Sequence, residues 1–160
     1  MNRGFTLLEL IVVLLLVGIL AVIAFPRMSQ NTIELSGQAE QVARDIRYAQ
    51  TLSMTRGAAQ GRHCIFFTAT GYQLRNNNNN PGTPCSIAVA HPATGSSAAI
   101  VLTGGTAVST ANLTGNYLEF DTKGQPTSFA GGGNATVTLT ASGGPRTVVV
   151  SPVTGMATVQ

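Results

Sequence analysis

The chain has 160 residues, 9% of them charged, with 18 glycines and no tryptophan. So low a charge content is unlike that of a disordered chain or an ordinary cytosolic protein. Nine basic and six acidic residues leave a net charge of +3, too small by itself to indicate nucleic-acid binding.

Met1-Asn2-Arg3-Gly4 is a short basic leader. Phe5–Phe25 follows, an apolar stretch of 21 residues whose one ionisable member is Glu9. As a helix it reaches roughly 31 Å, the thickness of a bilayer's hydrocarbon core. A carboxylate costs about 3 kcal/mol at the centre of such a span and less toward its ends. A secretory signal has a shorter apolar run, with a small-residue cleavage site behind it. Here Phe25-Pro26-Arg27 follows the run, and the small residue, Gly4, precedes it. Cleavage after Gly4 removes the leader and keeps the helix. Arg3 holds the N-terminus on the cytoplasmic side, which puts everything after Arg27 outside.

Gly4-Phe5-Thr6-Leu7-Leu8-Glu9-Leu10 resembles the prepilin cleavage and methylation motif of type IV pilins and type II secretion pseudopilins. The resemblance implies cleavage between Gly4 and Phe5 by a membrane prepilin peptidase, and N-methylation of Phe5. It implies that Glu9, then the fifth mature residue, sets subunit register during assembly. The mature ammonium and Glu9 stand at i, i+4 spacing, where they compensate each other. Pro26 falls where many pilins carry a helix-kinking proline. The implied partners are other pilin or pseudopilin subunits, the prepilin peptidase, the membrane and an inner-membrane assembly platform. The implied location is the bacterial inner membrane, single-pass, with a periplasmic domain.

Beyond Pro26, which removes a helical hydrogen bond, the pattern becomes periodic. Leu35, Ala39, Val42, Ile46, Ala49 and Leu52 are spaced four and three apart and predict one apolar helix stripe. Glu34, Glu40, Arg44, Asp45, Arg47 and Arg56 lie mostly off it, and Gly57 reads as a stop. The expectation is one long helix, Phe5–Arg56, with weak points at Pro26 and Gly37. Its first half belongs in membrane or filament core, and its second packs on a β domain. The fold class is therefore α+β, a long N-terminal helix on a small antiparallel β domain. The divisions are 1–4 leader, 5–26 transmembrane or filament-core helix, 27–57 amphipathic helix and 58–160 β domain.

From Arg62 the texture is β. Strands are predicted at Arg62–Thr68 and Tyr72–Arg75 around a turn at Gly71, then at Cys85–Ala90 and Ala98–Leu102. Asn76–Asn80 with Pro81-Gly82 reads as a polar surface loop, and Gly104–Gly115 as a long connection. In Tyr117–Asp121, Leu118 and Phe120 face away from Glu119 and Asp121, and Lys123-Gly124 turns the chain. Thr127–Phe129 reads as a short edge strand. Ala135–Ala141 and Arg146–Ser151 form a hairpin through Ser142–Pro145, and Met156–Val159 is the last strand. Cys64 and Cys85, in a chain with an export signal, read as one disulfide. Closing a loop of about 22 residues is worth roughly 3 kcal/mol on the chain-entropy model.

The β half resembles GspH/FimT-like minor subunits. The resemblance rests on Ala39–Arg56 followed by strands, on Leu118-Glu119-Phe120-Asp121-x-x-Gly124, and on Thr147–Ser151 and Met156–Val159 around Thr154-Gly155. It implies a minor pilin or pseudopilin, non-enzymatic, acting near the filament tip or in priming. No catalytic constellation accompanies His63 or His91, no glycine loop has the setting of a phosphate site, and nothing points to a metal or cofactor. Arg44, Arg47, Arg56, Arg62 and Arg75 fall within one stretch opposed only by Asp45. They are candidates for contact with DNA or with neighbouring subunits. DNA-binding FimT-like subunits carry a basic Gly-Arg-x-Arg motif. The matching region here, Gly144-Pro145-Arg146, has a single arginine, so DNA uptake is the alternative reading.

Overall fold

The computed structural model describes residues 7–24, 30–80 and 82–160. Two compact units are present, Met1–Gln30 and Asn31–Gln160. The first contains helix α1, Leu7–Ala24. Pro26, the expected weak point, lies outside the described residues. Among the described residues no helix is long and apolar enough to cross a membrane. Phe5, Thr6 and Phe25 of the expected span lie outside them.

The second unit is built on helix α2, Gln30–Gln60. The predicted stripe is its buried face: Leu35, Ala39, Val42, Ile46 and Ala49 are at most 1% exposed and Leu52 is 5% exposed. Burying each of the larger side chains contributes about 1.5–3 kcal/mol. The helix passes through Gly37 without a break, and it does not stop at Gly57. The stop is Gly61, whose φ of +82° is the left-handed conformation of a helix end. Its N–H donates to Gly57 O at 3.0 Å. A β-carbon at Gly61 would lie 2.2 Å from Asn77 Oδ1. The asparagine run supplies the rest of the cap. Asn77 Oδ1 accepts the Arg62 N–H at 2.9 Å, and Asn79 Nδ2 donates to Ala59 O at 3.1 Å. Asn77 is buried, so this loop is partly interior.

Two antiparallel sheets cover the stripe. The first has strands β1 (His63–Thr68), β2 (Gly71–Asn76), β3 (Ile87–Ala88), β4 (Ile100–Val101) and β6 (Tyr117–Glu119). Its order is β3-β2-β1-β6, with β4 also on β2. The turn between β1 and β2 falls at Ala69-Thr70, and the strands expected at Cys85–Ala90 and Ala98–Leu102 shrink to two residues each. The second sheet, β5-β7-β8-β9, contains β5 (Ala107–Ala111), β7 (Ala135–Ala141), β8 (Gly144–Val150) and β9 (Ala157–Val159). β5 lies where a connection was expected, and it pairs with β7 from Ala107↔Thr140 to Ala111↔Thr136. Thr127–Phe129 makes no strand, only a bridge from Phe129 to Leu113. The β7–β8 hairpin turns on Ser142-Gly143 alone, with Ala141 opposite Gly144.

Ile65, Phe67, Tyr72, Leu74 and Leu118 from the first sheet join Val137, Leu139, Val148 and Val150 from the second in one core with the α2 stripe. Alternation places these residues on the inner faces. Polar contacts then fix α2. Arg47 donates from Nε and Nη2 to Ala157 O at 3.1 and 2.8 Å. Gln50 Nε2 donates to Gly124 O at 2.8 Å and to Thr154 O at 2.7 Å. Arg146 Nε donates to Ser36 Oγ at 3.1 Å. Gly143 packs so closely on the backbone of Thr32 that a β-carbon there would sit 3.0 Å from its N and Cα.

Candidate assembly surface and polar clusters

Gly4 and Phe5, the expected cleavage and methylation residues, lie outside the described residues. Glu9 is in the first turn of α1, where a carboxylate is favoured by the helix dipole. Around it the helix is apolar and exposed, from Leu7 at 78% and Leu8 at 74% through Leu14 at 63% to Ile19 at 53%. A helix that is hydrophobic all round is one made to be surrounded by other apolar matter.

Cys64 and Cys85 form the disulfide, with Cα atoms 5.9 Å apart. It ties β1 to the loop before β3, and both cysteines are buried.

The five arginines do not act as one free basic patch. Arg47 is committed to Ala157 O. Arg62 Nη1 pairs with Glu119 Oε1 at 3.2 Å. Arg75 lies 4.3 Å from the centroid of the Phe66 ring and donates from Nε to Gln73 Oε1 at 2.7 Å. Arg44 and Arg56 are exposed and have no hydrogen bond or ion pair among the described residues. Glu119 corrects the alternation expected for its strand: it is 4% exposed, not solvated. The register puts it opposite Cys64 on β1, within reach of Arg62 and of the Thr127 hydroxyl, 3.3 Å away. A carboxylate is tolerated at such depth because it is paired.

Asp45 is a second buried carboxylate, though it was expected to lie off the apolar stripe. It sits seven residues after Gln38 and seven before Leu52, on a buried flank of α2. Its Oδ2 accepts the Tyr72 hydroxyl proton and lies 3.0 Å from His91 Nε2. His91 Nδ1 accepts the Ala93 N–H at 3.2 Å, while its Nε2, though close to Asp45, makes no well-formed hydrogen bond. Burial first, and then Asp45 itself, push the Tyr72 hydroxyl well above the ordinary tyrosine range. The cluster joins α2, β2 and the loop at His91. It is sealed from solvent, with Tyr72 wholly buried and His91 5% exposed, so it holds elements together and offers no reacting group to a substrate.

His63 is wholly buried at the start of β1. Its backbone N–H donates to Ser53 Oγ at 2.8 Å, but neither ring nitrogen makes a well-formed hydrogen bond. Burial lowers its pKa below the usual histidine value; the Gly61 backbone opposes this and the Arg56 charge adds to it. Among the described residues no group of three or more His, Cys, Asp or Glu side chains is placed to hold a metal.

Comparison with known proteins agrees with this architecture. Residues 38–155 match the family Type II transport protein GspH. Residues 1–25 match the prokaryotic N-terminal methylation motif. The pilin-like protein PilA1 of Thermus thermophilus is 32% identical over 156 residues, covering 94% of each chain. No solved structure gives a significant match. The chain therefore belongs to the type IV pilin and type II secretion pseudopilin family, as a GspH-like structural subunit that associates with other subunits of that family.

Proposed function

We propose that the chain is a minor pilin or pseudopilin that is inserted in the bacterial inner membrane, cut between Gly4 and Phe5 by a prepilin peptidase and methylated at Phe5. Its globular unit then faces the periplasm until an inner-membrane platform feeds the subunit into a filament, where it acts in priming or at the tip. The observation that carries this reading is α1. Apolar side chains surround it from Leu7 to Ile19, more than half exposed at most positions, with Glu9 as its acidic residue. Such a helix is suited first to lipid and then to a bundle of like helices. Within that bundle Glu9 pairs with the methylated ammonium of a neighbour and sets the axial step.

Mass spectrometry of the protein from its native membrane tests the processing. The expected mature chain begins at methylated Phe5, and an unprocessed Met1 terminus would overturn it. Glu9→Ala tests the register role. Membrane insertion is expected to persist while incorporation into filaments falls, because removing one partner of a buried pair costs about 3–5 kcal/mol. Normal incorporation would remove that role from Glu9. The DNA-uptake reading is not favoured, since Arg47, Arg62 and Arg75 are occupied within the molecule.

A further inference from the structure

Beside the end of α2 lies a groove of about 250 Å³, lined by Gly57, Arg62, Asn77, Asn79 and Thr122. Arg62 is the one charged side chain in this lining, and no aromatic ring contributes. The Arg62 guanidinium donates from Nη1 to Glu119 Oε1. Its Nε and Nη2 make no hydrogen bond among the described residues. Asn77 is 3% exposed. Its Oδ1 is committed to the N–H groups of Arg62 and Asn79, at 2.9 and 3.1 Å. Its Nδ2 donates to nothing among the described residues, and the groove is the open space it meets. A buried amide nitrogen without an acceptor is uncommon in a folded protein. The Thr122 hydroxyl is likewise unpartnered among the described residues. The methyl of that side chain faces α2, where a β-carbon on Gly57 would lie 3.1 Å from it.

The groove therefore gathers a guanidinium edge, an amide and a hydroxyl that can all donate and have nothing to donate to. The C-terminal end of a helix ordinarily disfavours an anion. Here that field is reduced, because Gly57 O accepts the Gly61 N–H and Ala59 O accepts from Asn79 Nδ2. Arg56 and Lys123 adjoin the lining residues Gly57 and Thr122 in the chain, and both are exposed. Against these and Arg62 stand Glu119 and Asp121, so one positive charge is left over.

We propose that this groove binds a carboxylate, either of a small free acid or of a polypeptide chain end. Two parallel N–H groups on a guanidinium edge match the two oxygens of a carboxylate. Asn77 Nδ2 and the Thr122 hydroxyl supply further donors, and a monoanion matches the residual charge. The inference stands apart from the filament reading, and its failure would leave that reading intact.

The test uses the full chain in uncharged detergent micelles, at an ionic strength held constant with chloride. NMR of the Arg62 Nε–H and the Asn77 side-chain amide is the readout. The probes are acetate and acetyl-Gly-Gly with a free carboxylate; the control is acetyl-Gly-Gly-amide. Both carboxylates are expected to give saturable shifts at millimolar concentration, and the amide none. Tighter binding of the peptide identifies the ligand as a chain end, and equal binding identifies it as a free acid. Asn77→Asp keeps an oxygen for the Arg62 and Asn79 N–H groups but replaces the donor with a repelling atom. It should weaken binding by roughly tenfold or more, about 1.4 kcal/mol, while the Arg62 and Asn79 amides keep their slow exchange. Thr122→Val keeps the methyl toward Gly57 and removes the hydroxyl alone, so it reads the site even if the first variant unfolds. It should weaken binding severalfold with the thermal midpoint unchanged. No saturable shift with either carboxylate would overturn the proposal. So would an equal response to the amide, or full binding by the folded variants.

Discussion

The Tyr72 hydroxyl donates to Asp45 Oδ2 inside the core, joining β2 to α2. Hydrogen bonds to a charged group contribute about 1.5–3 kcal/mol. Tyr72→Phe is therefore expected to lower unfolding free energy by about 2 kcal/mol at neutral pH, read by urea denaturation. Burial of Tyr72, and then the same contact, set an alkaline limit. The folded-state pKa of Tyr72 is raised, so its contribution is complete below the unfolded value of about 10 and is lost as pH rises toward the folded value. Stability should fall above about pH 10, by up to about 1.4 kcal/mol per pH unit for one proton. Tyr117 is raised too, by partial burial and then by Glu119. Tyr72→Phe should therefore reduce this slope without abolishing it.

His63 sets a limit on the acid side. Its folded pKa is depressed, chiefly by burial. Its contribution is thus present above the unfolded value of about 6.5 and is lost as pH falls through the folded value. His63→Leu should flatten the stability profile below about pH 6.5. An unchanged acid slope in that variant would show that His63 is not the group being protonated.

Ile46 and Ile33 lie on the same helix in opposite surroundings. Ile46 is wholly buried and Ile33 is 74% exposed. Ile46→Ala should cost about 2–5 kcal/mol through lost burial and a residual cavity. Ile33→Ala should change the stability of the isolated chain by no more than about 0.5 kcal/mol. The comparison, made by thermal or urea unfolding, tests which face of α2 carries the core.

Gly155 turns the chain between β8 and β9 with φ of +68°. A β-carbon there would lie 2.8 Å from both Gln50 Nε2 and Phe120 Cε1, and 2.9 Å from Gly124 O. Gly155→Ala is expected to cost about 1–3 kcal/mol, from the left-handed backbone and the displaced neighbours. A substitution at Gly105, also at positive φ but with nothing within 4 Å, isolates the backbone part of that cost.

The parts of the fold legible in the sequence are those set by local repetition. The spacing of Leu35, Ala39, Val42, Ile46 and Ala49 is a property of the helix alone, and all five are buried as it requires. The alternation of Val137 and Leu139 with threonines marks β7 in the same way. β5 escaped because Ala107–Ala111 offers one larger apolar side chain, Val108, and takes its strand character from β7, far along the chain. The helix end was misplaced because Gly57 and Gly61 are equivalent on paper. Asn77 and Asn79, which fold back onto the helix end, decide between them. Asp45 and Glu119 read as surface residues because their partners, Tyr72 and Arg62, are 27 and 57 residues distant. In the basic stretch, Arg47, Arg62 and Arg75 meet a carbonyl, a carboxylate and a ring, contacts that spacing along the chain does not display, while Arg44 and Arg56 stay exposed. The N-terminal motif needs no such completion, since Gly4, Phe5 and Glu9 are read along one short segment.

The Gln50 amide has a consequence of its own. One nitrogen holds both Gly124 O and Thr154 O, so the loop after β6 and the turn before β9 share a single anchor. Neither can be redrawn alone: a residue inserted in one loosens the other, and a change at position 50 reshapes both. To any neighbour in an assembly, these two distant stretches of chain form one inherited surface.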